Sequence, residues 1–260
     1  MVRAMHLLTD LLSPHLLAFA FAVTFAAGFV KGAVGFAMPL IMISGISVAI
    51  DPRLVVAGII LPIVFSNLLQ VWRAGWAEAR DALIEYRRFV LVVCSTILIS
   101  AQFLTIIPAQ AMYVVLGVPV IALSLVQLAG VRFRVAEEQR PRFDWGIGIV
   151  AGVLGGLAGT WGPPTILYLL ALDTPKARQL AVQGVVFGLG SVALLAGHLR
   201  SGVLDGETLP FSAFLLVPAV LGMWVGFQLG DRLDQVKFRR ATLIVLIVAG
   251  ANLVRRGVTG

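Results

Sequence analysis

Charged residues are scarce in this sequence. Only 13% of its 260 residues are Asp, Glu, Lys or Arg, whereas about a quarter are charged in a typical soluble domain. Hydrophobic residues make up 59%, and the mean hydropathy is +0.98. A polar stretch long enough for a separate soluble domain is also missing. We therefore expect one domain whose apolar surface is solvated by lipid.

Cysteine and histidine are equally scarce. Cys94 is the only cysteine, which excludes an internal disulfide and a multi-cysteine metal site. The three histidines, His6, His15 and His198, form no convincing set of metal ligands. The sequence also has neither a His-Glu-x-x-His motif nor a Walker motif. We therefore predict no metal, no cofactor, no ATP coupling within the chain and no enzymatic activity.

The net charge of +7 comes from basic residues in short loops between apolar runs. This distribution follows the positive-inside rule, and no basic helix interleaved with aromatic residues indicates a nucleic-acid partner. Loops 73–88 and 132–144 are basic and are predicted to face the cytoplasm. We therefore expect a multi-pass protein of the cytoplasmic (inner) membrane. The Arg255–Arg256 pair opposes this scheme, which places it outside.

Apolar segments alternate with charged or turn-forming residues along the whole chain. Those predicted to span the bilayer are 54–72, 89–107, 110–130, 179–199, 209–229 and 239–256. Two further pairs, 14–30 with 36–50 and 145–161 with 163–172, are broken by glycine and proline. A ten-residue arm covers only about 15 Å, half of the bilayer core. These pairs are predicted to be broken or re-entrant hairpins.

The two halves of the chain repeat each other. Gly28, Gly32, Gly35 and Pro39 match Gly152, Gly156, Gly159 and Pro163, each pair 124 residues apart. Loop charges change sides between the halves, which favours inverted repeats, a transporter architecture. We predict an all-α polytopic transmembrane protein of about 8–10 membrane segments. Its parts are a first repeat at 1–131, a cytoplasmic basic linker at 132–144 and a second repeat at 145–260. Each repeat has a Gly-Pro hairpin and three spanning helices.

A surface helix is predicted between the membrane segments of the first half. Residues 76–88 combine apolar residues at near-helical spacing with charged residues, as an amphipathic helix on the inner surface does. Trp72, Trp76, Tyr86 and Trp145 are interpreted as aromatic residues of the membrane interface.

Two glycine-rich stretches resemble a known family. The stretch GFVKGAVGFAMP, from Gly28 to Pro39, resembles the first-repeat signature of the TauE/SafE family, also called the toluene sulfonate uptake permeases. The stretch GVLGGLAGTWGP, from Gly152 to Pro163, resembles its second-repeat signature, and the likeness extends from about residue 15 to residue 256. The resemblance implies transport of small sulfur-containing anions, such as sulfite or organosulfonates, across the cytoplasmic membrane.

The chain departs from this family pattern at two places. Members often carry glycine after the phenylalanine of the first motif, where this chain has Ala37. In the second repeat they often have a small hydroxyl residue near the position of Gln183.

The breaks in the two motifs are the candidate anion site. Helices predicted to begin near Pro39 and Pro163 would present unpaired amides and a partial positive charge, which suit an oxyanion. The candidate donors are the amides of 36–40 and 160–166. The predicted substrate-binding residues are Lys31, Gly32, Gly35, Phe36, Pro39, Asn67, Gly156, Gly159, Thr160, Trp161, Pro163 and Gln183.

Several of these residues also have a purely structural interpretation. Lys31 is either an intramembrane cation that binds the anion or a lysine that snorkels to the cytoplasmic interface. The glycines allow close helix packing, and Trp161 fits packing at the break. Asn67 and Gln183 either line a pathway or form hydrogen bonds between helices.

The leading hypothesis is a secondary transporter whose partners are a small anion, the lipid bilayer and a coupling proton or other ion. A channel would need a continuous polar or charged ring, which the sequence lacks. The alternatives from other classes are an intramembrane enzyme and a non-transporting membrane assembly or sensor subunit. Homo-oligomerisation stays open at this stage.

Overall fold

The computed structural model describes residues 12–130, 134–230, 232 and 234–259. In this part of the chain all regular structure is helical. The helices are α1 (Pro14–Val34), α2 (Met38–Ile46), α3 (Pro52–Ala74), α4 (Trp76–Glu85), α5 (Arg87–Ser100), α6 (Ala109–Leu128), α7 (Arg140–Ala158), α8 (Gly162–Ala171), α9 (Lys176–Ser201), α10 (Leu209–Gly230) and α11 (Gln235–Thr259).

Six of these helices are long and apolar enough to cross a membrane. They are α1, α3, α6, α9, α10 and α11, within Pro14–Ala33, Pro52–Trp72, Gln110–Leu128, Ala181–Ser201, Leu209–Leu229 and Val236–Thr259. A span needs about 20 apolar residues, because the helix rises 1.5 Å per residue through a core of about 30 Å. The predicted class, an all-helical polytopic membrane protein, is confirmed.

Each half of the chain begins with a hairpin of one long and one short helix. In the first, α1 ends at Gly35 in the left-handed conformation, with φ 85°, and α2 begins after Ala37, with φ 75°. The short helix turns back along the long one, since a β-carbon added at Gly45 would lie 2.7 Å from Val23. At about 1.5 Å per residue, the nine residues of α2 cover only about half the bilayer core.

The second hairpin has the same form. Helix α7 ends at Gly159, with φ 62°, and α8 begins at Gly162. Tyr168 on α8 donates a hydrogen bond of 2.6 Å to Asp144 near the start of α7, so α8 also returns along its partner. Ala37 and Thr160, at the two breaks, are buried, so both breaks lie inside the protein.

The glycines of α1 pack this helix closely on α10. A β-carbon added at Gly28 would overlap the carbonyl oxygen of Ala219, and one at Gly32 would overlap that of Met223. Residue numbers rise together along the two helices, so α1 and α10 run parallel. Glycine at these positions allows the two backbones to touch.

The second half repeats this packing with α7 and α5. A β-carbon added at Gly152 would overlap Thr96, and one at Gly156 would overlap Ser100. These glycines lie 124 residues after Gly28 and Gly32. Helices α5 and α7 also run parallel, so the long helix of each hairpin packs against a helix of the other half, α1 against α10 and α7 against α5.

Helices α6 and α11 pair with the opposite orientation. A β-carbon added at Gly117 would lie 2.8 Å from the Gly250 carbonyl oxygen, and one at Gly257 would lie 2.6 Å from Val114. Residue numbers rise along α6 as they fall along α11, so the last helices of the two halves are antiparallel.

Ion pairs tie the amphipathic helix α4 to the second half. Glu85, at the end of α4, pairs with Arg178 at 2.6 Å and with Arg140 at 3.5 Å. Trp76, at the start of α4, is 72% exposed, as an interfacial residue should be. The amphipathic helix predicted within 76–88 is therefore present, and it ends at Glu85.

Two sequence expectations differ from the structure. The span predicted at 89–107 was wrong in length, because α5 ends at Ser100 and a 3-10 turn occupies Ala101–Phe103. Gln102 in this turn donates hydrogen bonds to carbonyl oxygens on two helices, which holds the turn in place. Tyr86 is no interfacial residue. It is 4% exposed, its hydroxyl lies 3.2 Å from that of Thr174, and Arg140 stacks over its ring at 4.7 Å.

Candidate functional site

The tips of the two hairpins meet at a cavity of about 30 Å³ beside α3 and α9. Nine of the predicted site residues line it, and they come from both halves. They are Lys31, Gly35, Phe36, Pro39, Asn67, Gly159, Thr160, Trp161 and Pro163. Long-range folding therefore places the two glycine-proline motifs in one site.

Lys31 reaches this cavity from the last turn of α1. Its side chain is 3% exposed, and its amine donates hydrogen bonds to Ser66 Oγ, at 2.9 Å, and to Asn67 Oδ1. Both acceptors belong to α3. The amine is turned toward the interior, the reverse of the direction that a snorkelling lysine takes.

Further hydrogen bonds orient the two acceptors. Asn67 donates through Nδ2 to the Phe187 carbonyl oxygen on α9, at 3.0 Å, which leaves its Oδ1 to face Lys31. Ser66 donates through its hydroxyl to the Ile63 carbonyl oxygen, also at 3.0 Å. Both groups use their donors elsewhere, so toward Lys31 they act as acceptors only.

Gln70, one turn after Asn67, fixes the tip of the first hairpin. Its side chain donates a hydrogen bond of 2.7 Å to the Gly35 carbonyl oxygen. The Gly35 amide in turn donates to the Lys31 carbonyl oxygen, at 2.7 Å, which closes the end of α1. Side chains of helix α3 therefore position both the Lys31 amine and the helix break at Gly35.

The first turn of α2 contributes amide groups to the cavity wall. Ala37, Pro39 and Leu40 line the cavity, and the first helical bond runs from the Ile41 amide to the Ala37 carbonyl oxygen. The amides of Met38 and Leu40 precede that bond, so they have no acceptor within the helix. They also carry the positive end of the helix dipole.

The second break offers fewer donors than the range 160–166 that the sequence indicated. The Thr160 amide donates to Leu154 and the Thr165 amide donates to Trp161, each at 3.3 Å. Pro163 and Pro164 have no amide hydrogen. The amides of Trp161 and Gly162 are the ones left for a ligand, so the two tips contribute unequally.

Trp161 forms one wall of the cavity. It is 2% exposed, and its ring lies between the backbones of α7 and α9. A β-carbon added at Gly155 or Gly190 would lie about 3 Å from the ring. Among the described residues the indole nitrogen has no hydrogen-bond partner. The two glycines make room for the ring.

Three predicted residues lie outside the lining. Gly32 and Gly156 pack against Met223 and Ser100, as described above, so they support the hairpins rather than touch a ligand. Gln183 is half-buried on α9 and does not line the cavity.

Five further residues line the cavity. Ala37, Leu40 and Gly162 lie within the two ranges of candidate amide donors, whereas Ile63 and Phe187 were not singled out by the sequence. Apolar residues of long helices give no signal of this kind, because the face they present depends on the neighbouring helices. Ser66 belonged to a polar strip with Asn67 and Gln70 in the sequence, and that strip was the available signal.

Comparison with known proteins identifies the family. The family model named "Sulfite exporter TauE/SafE" matches residues 20–253, nearly the whole chain. No curated protein and no solved structure matches the chain. The match includes the second hairpin, the first hairpin from residue 20 onward, and every residue of the cavity lining. The chain therefore belongs to the sulfite exporter TauE/SafE family of membrane transporters.

Proposed function

We propose that this protein is a secondary transporter of the cytoplasmic membrane that binds a small sulfur-containing anion, such as sulfite or an organosulfonate, in the cavity between the hairpin tips. The observation that carries this proposal is Lys31. Of the described side chains that line the cavity, it alone can carry a charge, and its partners Ser66 and Asn67 are neutral. A buried cation with neutral neighbours is stabilised by an anion beside it.

The cavity wall suits an oxyanion. Ala37, Pro39 and Leu40, at the positive end of the α2 dipole, line the same cavity as Lys31. Trp161 and Phe187 supply apolar walls that exclude water and strengthen these interactions. A volume of about 30 Å³ holds only a few water-sized groups, which favours sulfite over a bulky sulfonate.

The packing of the two halves supports an alternating-access mechanism. Their last helices, α6 and α11, are antiparallel, and the equivalent pairs α1 with α10 and α5 with α7 both run parallel. Two halves related by a twofold axis in the membrane plane have this pattern. In such proteins each half can take the conformation of the other, which opens a central site to alternate sides.

Transport assays in proteoliposomes test the proposal against its alternatives. We expect accumulation of radiolabelled sulfite or methanesulfonate, driven by an imposed proton or ion gradient and saturable. Lys31→Gln should weaken it, whereas Lys237→Gln, the same change at an exposed lysine paired with Asp234, should not.

The chemical form of the recovered label separates the classes of function. A transporter returns the anion unchanged, whereas an intramembrane enzyme would return a converted product. A sensor or assembly subunit would bind the anion without accumulating it. Accumulation of neither anion would refute the proposed function.

A further inference from the structure

The hydrogen bonds of Lys31 match a neutral amine. A neutral amine has two N–H donors, and two acceptors, Ser66 Oγ and Asn67 Oδ1, face it from α3. An ammonium group has three donors. The third has no acceptor among the described bonds of Lys31, and the space beside it is the cavity.

Within the described part of the chain, no acidic side chain forms an ion pair with Lys31. Helices α2 and α10, which pack against α1, contain no Asp, Glu, His, Lys or Arg. On α11, Lys237 is exposed and paired with Asp234, and Arg240 is exposed.

Among the described residues of the other helices at the cavity, the one carboxylate is Asp144, near the start of α7, which accepts a hydrogen bond from Tyr168 and pairs with Arg88. On α3, Arg53 donates to the Ile107 carbonyl oxygen at the far end, and the side chain of Arg73 lies outside the described part of the structure. On α9, Arg178 is paired with Glu85, and His198 lies eleven residues beyond Phe187. Burying an ammonium ion without a partner costs several kcal/mol.

We propose that Lys31 carries the coupling proton of the transport cycle, being neutral in the empty cavity and protonated when the anion is bound. The inference rests on the proposed function and adds its coupling. On binding, the amine lone pair takes up one proton, and the third N–H formed donates to the anion. On release the proton leaves with the anion, and no other bond forms or breaks. A monoanion therefore crosses with one proton, without net charge.

The arrangement explains why the partners of Lys31 are neutral. A carboxylate at position 67 would keep the ammonium charged in the empty site, and the anion would then compete with it. Ser66 and Asn67 instead satisfy the neutral amine fully. The proton and the anion must therefore arrive together, which couples the anion to the proton gradient.

Calorimetric titration of the purified protein with methanesulfonate measures the coupling directly, because this probe keeps its charge across the neutral pH range. Binding heats in two buffers of different ionisation enthalpy give the protons taken up per anion. We expect one proton for the unchanged protein in mildly alkaline buffer, and an affinity that falls about tenfold per pH unit there. Sulfite is titrated in parallel, with its own protonation subtracted from a blank.

Lys31→Arg is the decisive variant, because arginine keeps its charge at every accessible pH. It should bind anion without proton uptake, and Lys237→Gln should match the unchanged protein.

In proteoliposomes, methanesulfonate entry should carry protons inward in the unchanged protein, as a trapped pH dye reports. Proton uptake that persists in Lys31→Arg would overturn the assignment to Lys31. Anion transport without proton movement would overturn the coupling but leave the transporter intact, whereas no binding of either anion would overturn both.

Discussion

Arg256, near the end of α11, donates a hydrogen bond of 2.6 Å to the carbonyl oxygen of Val48, just past the end of α2. It also donates to the Ser47 carbonyl oxygen and stacks over the Tyr113 ring at 4.9 Å. Carbonyl groups at a helix C-terminus lack partners and carry partial negative charge. This basic residue therefore has a local structural role, and its position need not follow the positive-inside rule.

Replacing Arg256 should weaken the contact between the end of α11 and the end of α2. Arg256→Gln removes two charge-assisted hydrogen bonds and a cation–π contact at a partly exposed site. We expect a loss of about 1–2 kcal/mol in the free energy of unfolding, read as a lower melting temperature in detergent. Arg255→Gln is the matched control, since Arg255 is exposed and bonds only Asn252, three residues earlier. Equal effects of the two changes would contradict the capping role.

The membrane topology can be read from cysteine labelling. In a Cys94→Ala background, single cysteines replacing Ala77 and Glu138 should be shielded from an impermeant thiol reagent in intact cells. Cysteines replacing Gln110 and Gly206 should react, and all four positions are exposed on the protein itself. Reaction at both positions 77 and 206 from outside would rule out inverted halves. Labelling after cell lysis controls for reactivity.

Gly156 should tolerate no side chain. Even the β-carbon of Gly156→Ala would overlap Ser100 Oγ and approach the Ile97 carbonyl oxygen to 2.6 Å, so α5 and α7 must separate. We expect a loss of about 1–3 kcal/mol in stability, and failure to fold for Gly156→Leu. Gly146 is on the same helix, and a β-carbon there would meet nothing within 4 Å. Gly146→Ala should therefore express normally. Full stability of Gly156→Leu by fluorescence-detected gel filtration would refute close helix packing.

The protein should become more stable when Ala37 loses its methyl group. It has a φ of 75°, in the left-handed region that costs a residue with a β-carbon about 1–2 kcal/mol. Ala37→Gly relieves this strain but gains chain entropy when unfolded, so we expect a net stabilisation on the order of 0.5–1 kcal/mol. Ala26→Gly, at an exposed position inside α1, should destabilise by a similar amount. A lower melting temperature for Ala37→Gly would show that position 37 is unstrained.

Lys31→Gln tests the role of the charge in anion affinity. Glutamine keeps a polar N–H donor on a side chain only one bond shorter than that of lysine, so the protein should fold. Loss of a charge-assisted hydrogen bond at a buried site should weaken sulfite binding by about 10- to 100-fold. Unchanged affinity in proteoliposomes would show that the amides at the hairpin tips bind the anion without Lys31.

Most of the fold could be predicted because its determinants are local. Apolar runs of about 20 residues mark the spans, and glycine with proline marks the two breaks, whatever the rest of the chain does. The structure adds a local cap at Pro52, where the Asp51 carboxylate accepts a hydrogen bond of 2.8 Å from the Arg53 amide. The repeat and the family resemblance were also visible, since they need only residue order.

The candidate site was predictable in part. Nine of its proposed residues lie in two contiguous motifs and one polar strip, and the structure brings them to one cavity. Position within a motif did not reveal function, however, because Gly35 lines the cavity while Gly32 packs against α10. These residues are three apart on one helix and face different neighbours.

The sequence alone therefore determined that lipid surrounds this protein, where its helices and their breaks lie, and the family to which it belongs. Only the tertiary structure decided that Lys31 turns inward to Ser66 and Asn67, and that Tyr86 is buried against Thr174. The physical reason is that hydropathy sets whether a segment leaves water, whereas the direction of a side chain depends on which helices pack beside it. For Lys31 the partner helix begins more than twenty residues later along the chain.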